Sequence, residues 1–185
     1  MNKSLKTNFR KLSNAELNRL APEEFKEAQK IPLVIVLDNV RSLNNIGSIF
    51  RTSDAFRIEE VLLCGITACP PHKDIRKTAL GATESVAWRY FNSTQEALKD
   101  VHAKNYKIVA VEQAENACAL NDFKVDCSNG LAVIFGHEVQ GVSQEVVDFC
   151  DAVIEIPQFG TKHSLNVSVS AGIVLWVLHE QFSSK

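Results

Sequence analysis

Three short runs constrain this chain more than anything else in it: LVIVL at 33–37, VLLC at 61–64 and LAVIF at 131–135. None contains a polar residue. A strand with one face in water alternates apolar and polar positions, whereas a strand apolar throughout is buried on both faces. Such strands belong to parallel sheets covered by helices above and below. The segments between them fit that reading. After a polar loop at 38–45, Ile46, Ile49, Phe50 and Phe56 fall near one helical stripe. Residues 73–80 read as a helix stopped by Gly81. Ser93-x-x-Glu96 is a capping box that opens a helix carrying Ala97, Leu98 and Val101. Further strands are expected at 85–91, 107–111 and 152–156. A short helix should run from Ser143 through Val147, and a last, mostly apolar helix over 166–182. Residues 113–129 show no period and are expected to be loop with at most a short turn. About six strands alternating with helices define an α/β fold, a mostly parallel sheet with helices on both faces.

The sequence reads as one such unit over 31–185, preceded by a short basic helical extension at 1–30. That extension carries seven Lys/Arg against four Glu, so it is locally cationic. It holds a capping box, Ser13-x-x-Glu16, ahead of Leu17 and Leu20, and Pro22 at the first turn of a second short helix bearing Phe25 and Ala28. The formal net charge of -2 excludes a global positive field, so a nucleic-acid partner would have to be met by local patches. Five cysteines at irregular spacing, with no Cys-x-x-Cys pair, argue against a disulfide framework and against a zinc site. They fit a reducing compartment, and a cytoplasmic location is expected. Residues 1–10 are polar, so no signal peptide is expected. The apolar C-terminal segment is interrupted by Ser168, Ser170 and His179, so no membrane span is expected either.

The chain has no Gly-x-Gly-x-x-Gly after a strand and no Gly-x-x-x-x-Gly-Lys-Ser/Thr, which removes the dinucleotide and P-loop readings. It also lacks His-Glu-x-x-His and Gly-x-Ser-x-Gly. Three polar loops remain, each after an expected buried strand, where open α/β sheets bind ligands. The first leads into NNIGSIFRT at 44–52. The second is GHEVQG at 136–141. The third is IPQFGTKHSLNV at 156–167. Taken singly, their residues have plain roles. Gly47 and Gly141 suit tight turns, and Asn45 and Ser164 suit helix caps. Arg51 has Asp54 one turn away, and Glu138 suits the N-terminus of the helix after it. His137 either touches a ligand or fills its turn. Spacing alone stops at a ligand site in the strand-end loops.

Taken together, the three loops resemble the three motifs of the SpoU (TrmH-type) RNA 2′-O-ribose methyltransferases, of the SPOUT superfamily. Asn45, Gly47, Arg51 and Thr52 stand at the spacing of motif one. Gly136, Glu138 and Gly141 match motif two. Ile156, Pro157, Gly160, Ser164, Leu165, Asn166, Val167 and Ser168 match motif three. The resemblance covers about residues 31–182.

The resemblance implies an S-adenosylmethionine cofactor and the ribose 2′-hydroxyl of a structured RNA as acceptor; the short basic extension, without an accessory RNA-binding domain, favours tRNA over rRNA. It implies a C-terminal deep trefoil knot and a homodimer whose sites are built from both chains. By the same resemblance Arg51 is the catalytic residue with Asn45 beside it, and Glu138, Ser164 and Asn166 belong to the site. Gly136, Ile156 and Leu165 would hold the cofactor, mainly through backbone groups, and no metal is called for. RNA would be met by the basic arm (Lys3, Lys6, Arg10, Lys11) and by some of Arg41, Lys73, Arg76, Lys77 and Arg89. A knotted protein that binds RNA or an adenosyl ligand without catalysis is the alternative. An enzyme acting on a small nucleotide is a third possibility.

Overall fold

A computed structural model describes residues 9–126 and 128–183. Lys3 and Lys6 of the basic arm and Cys127 lie outside the described residues. Seven strands form one sheet in the order β3-β2-β1-β6-β4-β7-β5. They are β1 (Ile31–Asp38), β2 (Ile58–Cys64), β3 (Ala87–Phe91), β4 (Lys107–Val111), β5 (Cys118–Ala119), β6 (Leu131–Phe135) and β7 (Ala152–Glu155). Every pairing between them is parallel.

The three apolar runs are the core of β1, β2 and β6, and their alternate residues feed two separate cores. Leu33, Ile35 and Leu37 of β1 and Leu131, Val133 and Phe135 of β6 face one. Val34, Val36, Ala132 and Ile134 face the other. The first core is closed by α2 (Leu43–Ala55), α3 (Lys73–Ala79) and α7 (Val167–Ser183), through Ile46, Ile49, Phe50, Ile75, Val174, Leu175 and Leu178. The second is closed by α5 (Thr94–Ala103) and α6 (Gln144–Val147), through Ala97, Leu98, Val101 and Val146. The doubly covered parallel sheet expected from the sequence is therefore present.

Some bounds differ from expectation. The Ser13–Glu16 box caps only a single 3-10 turn, Asn14–Leu17, with Glu16 accepting from the Ser13 N–H at 2.8 Å. Pro22 does open α1 (Pro22–Glu27), whose Phe25 enters the main core. The stretch 85–91 is not strand throughout. Ser85 closes the one-turn helix α4 (Ala82–Ser85), where its hydroxyl donates to Asp54, and the strand starts at Ala87. The loop at 113–129 contains β5, which adds the seventh strand at the sheet edge. Among the described residues no helix is long and apolar enough to cross a membrane.

The register puts the ends of β1, β6, β4 and β7 side by side. Leu37 pairs with Phe135, Ala110 with Ile134, and Val111 with Ile154. The loops leaving those ends therefore meet along one edge.

Candidate active site

The loop after β1 turns through Asn39, at φ 56°, into Ser42, which caps α2 by accepting from the Asn45 N–H at 3.3 Å. Thr67 holds this turn: its hydroxyl accepts from the Val40 N–H at 3.0 Å and donates to the Leu37 carbonyl at 3.1 Å. Asn45 thus lies inside the first turn of α2 and is not its cap. The open N–H groups at this end of α2 are met by Glu138, from the loop after β6. Its carboxylate accepts from the Arg41 N–H at 3.0 Å, the Ser42 N–H at 2.8 Å and the Asn45 amide at 3.1 Å. So Glu138 does serve a helix N-terminus, but that of α2 and not that of the helix after it.

The contact continues. The Asn45 side-chain oxygen, Oδ1, accepts from the Asn166 side-chain amide at 3.1 Å. The Asn166 oxygen in turn accepts from the N–H groups of Ser168 and Val169, at 2.9 and 3.4 Å, and so caps α7. One line of hydrogen bonds, Glu138 to Asn45 to Asn166, joins three loops separated by 93 and 121 residues. Partial burial pushes the Glu138 carboxyl up. The N–H groups of Arg41, Ser42 and Glu138 itself, with the Asn45 amide, outweigh it and leave its pKa below the ordinary value.

Beside this line lies a cavity of about 530 Å³. Gly136, Ile156 and Leu165 line it, as do Glu138, Ser164 and Asn166. At Gly136 the wall has no room for a side chain: a Cβ there would stand 2.2 Å from the carbonyl carbon of Gly141. Gly141 has φ +67°, and it closes the loop on His137 through a pair of backbone bonds. The His137 ring fills that turn, its Nδ1 accepting from the Val139 and Gln140 N–H groups at 3.0 and 3.2 Å. His137 also borders the cavity.

Not every expected site residue gathers there. Ser164 is exposed and lines the cavity without a side-chain hydrogen bond among the described residues. Arg51 stands on the exposed side of α2, outside the cavity lining, and its side chain makes no ion pair or hydrogen bond among the described residues. Its suggested partner Asp54 instead accepts from Ser85. Arg89, one of the residues among which RNA contacts were expected, is engaged within the fold. It donates to Glu60 at 2.5 and 2.8 Å and to Asp100 at 2.7 Å, so acids already occupy its guanidinium. Glu112 and Gln113, at the end of β4, line the cavity and were not singled out from sequence. Their position just past an apolar strand was the available signal. Among the described residues no cluster of His, Cys, Asp or Glu is arranged to hold a metal ion. Burial pushes the thiols of Cys64 and Cys150 up to about 12, which leaves no thiolate there at neutral pH.

Residues 32–176 match the model of the SpoU rRNA Methylase family. A Staphylococcus haemolyticus protein named as a TrmH family tRNA/rRNA methyltransferase is 29% identical over 156 residues, 84% of this chain and 61% of its own length. A Staphylococcus aureus counterpart is 30% identical over 151 residues, 82% of this chain and 60% of that protein. The chain thus spans about three-fifths of the length of these curated relatives. Among solved structures, the A. aeolicus TrmH/SpoU tRNA modifying enzyme is 28% identical, with TM-score 0.76 over 88% of this chain and 81% of that one. The SpoU methyltransferase AviRb from Streptomyces viridochromogenes, in complex with AdoMet, shares the fold at 23% identity, with TM-score 0.76 over 88% of this chain and 65% of that one.

Proposed function

The chain belongs to the SpoU methylase family, and from that premise we propose that it methylates the ribose 2′-hydroxyl of structured RNA, tRNA in preference to rRNA, using S-adenosylmethionine. The observation that carries this reading is the Glu138–Asn45–Asn166 line, which ties all three motif loops to the wall of one cavity. The family uses S-adenosylmethionine, and the cavity suits it. A volume of about 530 Å³ is ample for a ligand of that size. Gly136, Ile156 and Leu165 offer it backbone groups and two apolar side chains. When bound, the cofactor supplies a methyl group activated on a sulfonium.

The chain's own groups then position and stabilise. Glu138 is a poor base for the hydroxyl, because the three donors on its oxygens hold its pKa below the ordinary value. Its task is to orient the Asn45 amide, which in turn holds Asn166 and the motif-three loop. Ser164 and Asn166 close the cavity on the acceptor side. Arg51 offers a planar guanidinium fork that holds an RNA phosphate and stabilises negative charge developing on the 2′-oxygen.

Arg51 reaches such a site from a second copy. Support comes from α7, which packs on α2 and leaves Val169, Ile173 and Trp176 exposed at 50%, 37% and 54% along one stripe. A stripe of that kind beside a site lacking its arginine favours a homodimer with shared sites. The path of the chain favours a knot. The connection from β4 runs out to β5 at the sheet edge and back to β6, with β7 seated between β4 and β5, and the chain leaves β7 for α7, which packs on α2. RNA is met by Arg41 and by the outer face of α3, where Lys73, Arg76 and Lys77 are exposed without an acid partner among the described residues. Transfer of tritiated methyl groups from S-adenosylmethionine to total RNA tests the reading. Incorporation well above background is expected, and background incorporation would leave only a binding protein.

A further inference from the structure

The end of β4 carries two polar residues that belong to none of the three motifs, yet both reach into the motif loops. Glu112 accepts from the Val142 N–H at 2.9 Å through Oε2 and from the Gln113 N–H at 2.8 Å through Oε1. Its own N–H donates to the Ile154 carbonyl at 3.1 Å, which fixes the residue to β7. The motif-two loop presses directly on the carboxylate: a Cβ on Gly141 would lie 2.1 Å from Glu112 Oε2. Gln113 points the other way. Its Nε2 donates to the His163 carbonyl at 2.5 Å, immediately before Ser164. Both residues border the same cavity as the loops they hold.

We propose that Glu112 and Gln113 form a two-sided clamp that sets the separation of the motif-two and motif-three loops and so the shape of the cofactor cavity. The physical case rests on what else holds each loop. The motif-two loop is anchored at Glu138 to α2, and Glu112 fixes its other end at Val142. The motif-three loop is anchored at Asn166. On its upstream side the residues 158–165 are mostly exposed, and the Gln113 bond is the side-chain tie found there among the described residues. A single hydrogen bond at the lip of a cavity is worth about three- to tenfold in the population of the closed form. Gln113 is therefore a positioning residue. It touches the backbone that carries Ser164 and has no part in methyl transfer.

This inference rests on the reading of the cavity as the S-adenosylmethionine site, and the test separates the two. Gln113→Glu keeps the length and the apolar stem but removes the N–H donor. In the protein without cofactor, tryptic cleavage after Lys162, inside the motif-three loop, should speed up about three- to tenfold while the melting temperature stays unchanged. The dissociation constant for S-adenosylmethionine, measured by calorimetry, should rise by a similar factor, and Gln113→Ala should match Gln113→Glu. Wild-type cleavage and wild-type affinity in both variants would overturn the clamp while leaving the cofactor reading intact. Faster cleavage in Gln113→Glu, with no S-adenosylmethionine binding by the wild type, would support the clamp and overturn the cofactor reading.

Discussion

Arg51 and Glu138 are both charged residues of the motif loops, and their surroundings give them opposite tasks. Arg51 is exposed and without an acid partner among the described residues, which suits a group that waits for a phosphate. Arg51→Lys retains the charge and loses the planar fork. Single-turnover methyl transfer should fall about 10- to 100-fold with cofactor affinity unchanged, and near-full transfer would remove Arg51 from this role. Glu138 instead has a carboxylate that already accepts from three donors and a pKa held below the ordinary value. A depressed carboxyl contributes stability that is present above its unfolded pKa, about 4.3, and is lost as pH falls through the lower folded value. Glu138→Gln should cost about 1–3 kcal/mol at neutral pH, because an amide cannot accept from all three donors. Denaturant melts of the two proteins should begin to converge as pH drops below about 4.3 and meet only below the lower folded value; a gap that stays constant would show the charge is not what matters. Glu138 and Asn45 were legible in the sequence as motif members, but their partnership was not, since 93 residues separate them. Glu112 and Gln113 escaped notice because a strand-end Glu-Gln pair has no pattern of its own. Only the register of β4 against β6 and β7 brings them to the cavity.

The long elements were legible because burial on both faces leaves an unbroken apolar run, and amphipathic packing leaves a stripe. β4 and β6 begin and end where the sequence placed them. β5 and α4, of two and four residues, are too short to show any period, and they exist because neighbouring elements accept them. Gly47 shows the same limit from the other side. In the sequence it reads as a turn residue, yet it lies inside α2, where a Cβ would stand 2.1 Å from Thr78 Oγ1 and 2.3 Å from the Ile75 carbonyl oxygen. It lets α3 lie against α2, with Thr78 also donating to the Asn44 carbonyl at 3.1 Å. The Ile75 oxygen is backbone and cannot swing away. Gly47→Ala is therefore expected to destabilise the protein by about 1–3 kcal/mol in a denaturant melt, despite the better helix propensity of alanine. An unchanged or raised midpoint would show that the two helices separate freely.

At the scale of the whole molecule, one chain supplies the cavity and the Glu138–Asn45–Asn166 line, while Arg51 stands outside the cavity lining. The sequence could suggest shared sites only through its family resemblance, because no periodicity records which face meets a second copy. The exposed stripe of Val169, Ile173 and Trp176 gives that suggestion a surface. Arg51→Ala and Asn166→Ala should each be inactive alone. Co-expressed, they should recover roughly a quarter of wild-type methyl transfer, since a mixed dimer has one site with both residues intact. No recovery would place Arg51 and its cavity in the same chain. The chemistry itself is tested most directly by the product. RNA methylated by the purified protein with S-adenosylmethionine is digested to nucleosides, and the labelled species is identified by mass spectrometry. A 2′-O-methylated nucleoside is the expected result; a label on a base, or no label at all, would contradict ribose methylation by this chain.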